Sequence, residues 1–404
     1  MSAKQIKTVY IVGAGFSGYA GLPLTNGFTD AILAARRFEG GPSKLTVDFV
    51  SHFIRDSFDQ STKAKGDKWP DLEDIFTCVD LSANSGHHLG RAFAPADLRT
   101  VRRAILSRII RMLDQSYTKG RRHKSADWHL LDKFFSSINP SQIGFISMNW
   151  DNVIARKLQL TLGGPFVDYG CDALAAAIPD LPNIDDFTST YKYDRAMSKP
   201  KVILLGKPLS DENKAKCVPL IKIHGSINWL YCDNCRRLFW CHPDQATRIA
   251  DQLITTDDLG RMEKILGEKL AKKKHRTIDK LRENPPILCF CSEGVPLSAR
   301  IATFSYRKAL EFPMFQKSWF VAEELLQNAE EWVFLGYSLP AADFEFKYLL
   351  KRTQLSRSKP PAIKVVSGGD KRSVLRTLRN YRRFFGRSIK NSTFLQGGLA
   401  ELLN

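Results

Sequence analysis

The chain lacks any run approaching the ~20 consecutive apolar residues that span a bilayer, so a membrane-embedded protein is not expected. Cysteine is sparse, eight in 404 residues, which excludes a disulfide-dense secreted scaffold. There is no fixed-period repeat, no low-complexity tract and no Pro/Gly/Ser-rich linker. That favours one sheet domain with insertions over a string of modules. The N-terminus runs straight into an apolar strand with no long hydrophobic leader, so no secretory signal is expected and the default location is the cytoplasm. Acidic side chains are in deficit, 42 against 60 Lys and Arg, for a net charge of +18. Such a balance suits contact with a polyanion, either nucleic acid or an anionic ligand, or simply a basic surface. With 43% hydrophobic and 25% charged residues, the composition is that of an ordinary globular protein and excludes disorder.

Short apolar runs read as buried strands at Thr8–Val12, Leu45–Val50, Ile143–Ser147, Lys201–Leu205, Leu220–Ile223, Trp332–Leu335 and Ile363–Val366. Most lack strict alternation, as expected of strands covered on both faces. Helical patterns fall at Thr25–Arg37 (with Thr25 or Asn26 as N-cap), Asp97–Leu113, Asp151–Leu160, Phe320–Ala329 and Lys371–Arg383. Strands alternating with helices indicate an α/β fold with a Rossmann-like, mainly parallel sheet. Two regions interrupt the alternation. Residues 51–140 read as a helical insertion, and residues 230–300 as an insertion carrying cysteines and a very basic helix, Arg261–Arg282. The expected organisation is therefore a single domain over 1–404 with those two insertions.

Three polar motifs sit at strand ends. Gly13-Ala14-Gly15-Phe16-Ser17-Gly18 follows the first strand and precedes a helix. Glycines there let a backbone approach the phosphates of a dinucleotide, and a helix N-terminus favours the pyrophosphate; a tight structural turn is the plain alternative. Ser147-Met148-Asn149-Trp150-Asp151 ends another strand. Its amide and carboxylate suit a carboxamide, a ribose hydroxyl or a water, while Asp151 could equally cap the next helix. Lys222-Ile223-His224-Gly225-Ser226 ends a third and offers a histidine for proton transfer near neutral pH.

The order GAGxS…GLP, xxNxD, HG, CxxC, GxS resembles the sirtuin family over roughly Lys7 to Val366, outside the helical insertion. The resemblance implies a sirtuin-like fold that binds NAD through Gly13, Ala14, Gly15, Ser17, Gly336 and Ser338. It implies Asn149 and Asp151 at the nicotinamide–ribose end and His224 as general base. The departures narrow the expectation. Pro23 is followed by Leu24-Thr25-Asn26 in place of Asp-Phe-Arg, the usual Thr-Gln-Asn-Ile-Asp is Ser147–Asp151, and Val295–Phe312 replaces the peptide-binding stretch. Gly336–Asp343 and Trp69–Asp74 look like the divergent, NAD-hydrolysing sirtuin-like domains of prokaryotic antiviral systems. A chain of this length also resembles the sirtuin-like subunit that partners a HerA-type ATPase. The expected activity is NAD+ glycohydrolysis in antiviral defence by a homo-oligomer. The alternatives are a protein deacylase or ADP-ribosyltransferase, or a non-catalytic NAD- or nucleic-acid-binding subunit.

Cys232-Asp233-Asn234-Cys235 is half of a zinc site, and Cys289-Phe290-Cys291 the other half. Four thiolates suit tetrahedral structural zinc; Cys241-His242 could substitute for one pair, and unliganded thiols are the alternative. Cys78, Cys171 and Cys217 are scattered and read as small buried hydrophobes. Between Lys347 and Lys390 there are fourteen Lys/Arg and one acid, Asp370. Arg372, Arg376, Arg379 and Arg383 share a helical face that would meet a nucleic-acid backbone, an acidic partner or solvent.

Overall fold

The computed structural model describes residues 5–24, 27–34, 41–58, 69–124, 126–162, 167–177, 204–205, 217–267, 287–289, 291, 295–301 and 313–404. Its centre is a seven-stranded sheet in which every pairing is parallel. The strands are β1 (Thr8–Val12), β2 (Ile143–Ser147), β3 (Val167–Asp168), β6 (Val218–Lys222), β12 (Glu331–Leu335), β13 (Ala362–Val366) and β14 (Phe394–Leu395). They lie in the order β14-β13-β12-β1-β2-β6-β3. The expected mainly parallel, Rossmann-like α/β fold is therefore what forms.

Side chains divide between the two faces with the two-residue period of a strand. Val9, Ile11, Ile146, Trp332, Phe334, Ile363 and Val365 join one buried cluster, while Val12, Ile143, Phe145, Val333, Leu335 and Val366 join the other. Both faces are covered, which is why these strands are apolar throughout. On the first face lie α10 (Pro313–Asn328), α11 (Phe344–Ser356) and α12 (Lys371–Phe385). The second cluster takes in the helices α3 (Gly41–Ser57), α4 (Leu72–Ser85), α5 (Pro95–His123) and α6 (Ala126–Ser137), together with α7 (Val153–Leu162).

Leu45–Val50 is a correction: it is the middle of α3, not a strand. Leu45, Thr46, Val47, Phe49, Val50, Ser51, Phe53 and Ile54 are all buried. Six residues are too few to show the period: Lys44, Asp48, His52 and Arg55 fall on one outward helical face, with only buried residues between them. The remaining helices keep their places with shifted ends. The helix expected at Thr25–Arg37 is α2, Phe28–Ala34, and its expected caps Thr25 and Asn26 lie outside the described residues.

A second, five-stranded sheet runs β11-β7-β8-β4-β5, built from β4 (Leu174–Ala177), β5 (Leu204–Leu205), β7 (Gly225–Tyr231), β8 (Leu238–Cys241) and β11 (Ser298–Ile301). The strand expected at Lys201–Leu205 contributes Leu204–Leu205 here rather than to the main sheet; residues 201–203 lie outside the described set. A short antiparallel pair, β9 (Leu288–Cys289) and β10 (Val295–Pro296), sits beside it. Of the basic helix expected at Arg261–Arg282, the described part is the end of Thr256–Leu266, closed by Gly267 at φ 76°.

Candidate functional site

The last residues of four neighbouring strands line up across the sheet. Leu335 of β12 is level with Val12 of β1, Val12 with Ser147 of β2, and Ser147 with Lys222 of β6. The segments that follow, Gly336–Ser338, Gly13–Ser17, Met148–Asp151 and Ile223–His224, therefore leave one edge at one level. The chain leaves β1 for β2 on one side and returns through β12 on the other. That is the kind of place where open α/β sheets bind ligands.

The loops after β1 and β12 interlock through backbone. Gly13 N–H donates to the Leu335 carbonyl and Gly15 N–H to the Gly336 carbonyl, both at 3.0 Å. Gly336 has φ 57°, and a Cβ there would lie 2.3 Å from the Phe16 nitrogen. A Cβ on Gly13 would lie 2.6 Å from Tyr337 Cα. Both positions need glycine for the approach of two main chains. The glycine segment itself forms a single short helix, Ala14–Gly18, directly after the strand. The observed role of Gly13 and Gly15 is this packing.

Asn149, Ser17 and Asp151 form a directed chain of hydrogen bonds. The Asn149 Nδ2 donates to the Gly13 carbonyl at 2.9 Å and to Ser17 Oγ at 2.8 Å. A carbonyl only accepts, so the amide orientation is set by Gly13. Ser17 Oγ in turn donates to Asp151 Oδ2 at 2.6 Å. Asp151 Oδ1 accepts from Val153 N–H at 3.0 Å, at the start of α7. The N-cap position itself falls to Asn152, whose carbonyl accepts from Arg156 N–H at 2.9 Å; Asp151, one residue earlier, holds the first N–H of α7, and Ser17 ties the same carboxylate to the glycine loop. With both Nδ2 hydrogens engaged, what Asn149 can offer a ligand is the acceptor Oδ1.

Lys222 is the residue that motif reading passed over. It is 2% exposed. Its Nζ donates to the carbonyls of Asn149 at 2.5 Å and Asp151 at 2.6 Å. One ammonium therefore pins the turn that carries both predicted side chains. Burial pushes its pKa down from the usual 10.5 to about 8, opposed by the charge of Asp151. The available signal was a lysine ending a run of otherwise apolar strand residues, Val218–Lys222. His224 follows on the two-residue turn between the two sheets, and Gly225 at φ 77° makes that turn. His224 is buried, with Nδ1 3.1 Å from the Met148 carbonyl. Nδ1 must carry the proton in that bond, so in the neutral ring the lone pair is on Nε2.

Ser338 is exposed, and its carbonyl accepts from Asn380 Nδ2 at 3.0 Å. Beside it the buried Tyr337 donates its hydroxyl to Asp343 at 2.8 Å, and Tyr381 donates to the Tyr337 carbonyl at 2.8 Å. Burial and the Asp343 carboxylate hold the Tyr337 phenol well above its usual range. Of the Trp69–Asp74 segment, the Pro70 carbonyl accepts from Thr29 at 2.8 Å, and Asp71 starts α4. These two observations are structural.

The four cysteines from two distant pairs do meet. Cys232 and Cys291 have sulfurs 3.6 Å apart, Cys235 and Cys289 3.8 Å, and all four ligand atoms fall within 4.8 Å of one another. Four thiols at this separation fit a tetrahedral zinc ion. Asn234 donates toward Cys291 and holds its thiol down at about 7, whereas burial pushes Cys232 and Cys289 up. The Cys241-His242 alternative is not in the cluster. Cys241 is buried in β8, where its carbonyl accepts from Asn228 at 2.6 Å, and His242 bonds Gln159.

No protein-family model and no curated protein matches the chain. Among solved structures it is similar to several Sir2 enzymes. One, with a p53 peptide and NAD+, is 13% identical, with 98% of this chain and 90% of that one covered and a TM-score of 0.32. Another, a Sir2 variant with a deacetylated p53 peptide and 3′-O-acetyl ADP-ribose, is 12% identical over 98% and 90%, at 0.35. A third, from work on the mechanism and regulation of Sir2 enzymes, is 12% identical over 100% and 90%, at 0.31. Likenesses of this size add nothing to what the strand ends themselves establish.

Proposed function

We propose that the protein is an NAD+ hydrolase of sirtuin-like type, acting in antiviral defence by depleting NAD+. The observation that supports the reading is that Asn149 and His224 follow neighbouring strands that end level, with Asn149 tied to the glycine loop and His224 Nδ1 donating to the Met148 carbonyl. In this reading the Gly13–Ser17 and Gly336–Ser338 loops hold the pyrophosphate and orient the ribose. The bond between C1′ and the nicotinamide nitrogen breaks, and nicotinamide leaves with the bonding pair as a neutral molecule. Asn149 Oδ1 accepts a hydrogen bond from the attacking water or a ribose hydroxyl. The water oxygen bonds to C1′ while His224 Nε2 takes its proton. Asp151, its carboxylate fixed by Ser17 and Val153, lends negative charge to an oxocarbenium-like transition state. Zinc in the four-cysteine cluster has a structural part. The family resemblance is also the ground for a homo-oligomer and a HerA-type ATPase partner.

The test is nicotinamide release from NAD+ by the purified full chain, followed by chromatography with and without an acyl-lysine peptide. Release that does not depend on peptide, and falls about 10²–10⁴-fold in His224→Ala, is expected. Peptide-dependent release would make the protein a deacylase or transferase. Full specific activity in a folded His224→Ala variant would remove its base.

A further inference from the structure

The function just described leaves a strongly cationic helix face unused. Helix α12 buries Val374, Thr377, Tyr381 and Phe385. Arg372, Arg376, Arg379 and Arg383 lie on the opposite face, all exposed. At ~1.5 Å per residue they run for about 16 Å. None of the four makes a salt bridge among the described residues. The nearest acid in sequence, Asp370, is turned inward on the N-terminus of α12, accepting from Arg372 N–H, Ser373 N–H and Ser373 Oγ. Uncompensated arginines in a row repel one another, and a row of anions is what relieves them.

The neighbouring helix supplies a second kind of contact. On α11, Phe344 is 52% and Tyr348 64% exposed, one turn apart on the face away from the buried Phe346, Leu349 and Leu350. Lys347 and Lys351 of α11 lie over the Phe384 ring of α12, at 5.5 and 4.7 Å, so cations also line the seam between the helices. Two large exposed rings one turn apart, Tyr348 with the Arg352 guanidinium 5.4 Å from its centroid on one face, are flanked by ammonium groups and a guanidinium row and form a surface for flat, apolar rings joined by phosphates.

We propose that the outer faces of α11 and α12 form a docking surface for single-stranded nucleic acid, with the α12 arginines on phosphates and Phe344 and Tyr348 stacking on bases. Guanidinium forks match phosphate oxygens, and the row is long enough to meet several successive phosphates of one strand. An acidic protein would satisfy the arginines but has no use for the two rings. A duplex keeps its bases stacked on one another and away from them. The surface stands whether or not the chain hydrolyses NAD+.

The test uses the full chain and a fluorescein-labelled oligothymidylate, with binding read by anisotropy across a salt series. Arg376→Glu/Arg379→Glu/Arg383→Glu is expected to weaken binding by about 100-fold or more near 0.1 M salt, and each single arginine-to-alanine change to reduce the salt slope by about 0.7. Phe344→Ala/Tyr348→Ala should cost about tenfold or more while leaving the salt slope unchanged. All these side chains are exposed, so melting temperatures should stay at the wild-type value; the matching triple alanine variant repeats the test without charge reversal. Unchanged binding in both triple variants would overturn the proposal. So would a duplex of equal length, or polyglutamate, binding as tightly as the single strand.

Discussion

Replacing Lys222 by methionine separates what this buried ammonium does for stability from what it does for the site. At neutral pH the change removes two donors from the carbonyls of Asn149 and Asp151, at 2.5 and 2.6 Å. Each carbonyl left unpaired costs about 1–3 kcal/mol. The same change removes the cost of burying a charge. A pKa lowered from 10.5 to about 8 corresponds to roughly 3 kcal/mol at ~1.4 kcal/mol per pH unit. The two terms oppose and are of similar size, so the melting temperature at pH 7 should move little. The pH dependence should move a great deal. Between about 8 and 10.5 the unfolded chain still holds the lysine proton and the folded chain does not, so stability rises with pH across that window. The burden is fully present below about 8 and gone above 10.5. Urea denaturation of both proteins from pH 7 to 10.5 should show the wild-type minus Lys222→Met difference climbing by roughly 3 kcal/mol. All other titrating groups are common to the two proteins and cancel. A difference that stays flat over that range would refute the account of Lys222 as a charged, desolvated clamp.

Asn149→Ala should abolish NAD+ cleavage per folded molecule, while the loss of its two hydrogen bonds to the glycine loop, at about 0.5–1.5 kcal/mol each, lowers the melting temperature modestly; wild-type turnover per folded molecule would take Asn149 out of the site. Gly336→Ala should destabilise the fold by about 3 kcal/mol or more, since its Cβ would meet backbone of Phe16 and Gly15 in a left-handed conformation; a melting temperature equal to wild type would show that the two loops can part freely. Metal analysis of protein purified without chelator should find about one zinc per chain, lost in Cys289→Ser along with some thermal stability; zinc-free wild-type protein would mean four unliganded thiols.

The strands of the main sheet were legible because covering both faces of a parallel sheet forces continuous apolar runs, as in Ile143–Ser147, where all five residues are buried. The same rule misled at Leu45–Val50, because those six residues hold only one member, Asp48, of the polar face of α3. The strand-end motifs were legible one by one, since glycine pairs, an amide beside a carboxylate and a histidine before glycine are unusual after an apolar run. The five-stranded sheet around Gly225–Tyr231 was not, because its strands alternate with turns and cysteines and give no single period.

By itself, then, the sequence determined the α/β class, the residues at the strand ends and the basic face of α12, all consequences of local pattern. Only the tertiary structure decided that β12, β1, β2 and β6 are neighbours and end level with one another. It alone spent the Gly13 and Gly15 amides and the Asn149 amide on the protein's own main chain, bound Ser17 to Asp151, and buried Lys222 under both. It also gathered cysteines more than fifty residues apart into one cluster. Such choices depend on which strands pair across long separations, and pairing order is fixed by the packing of whole faces, which no local run of residues encodes.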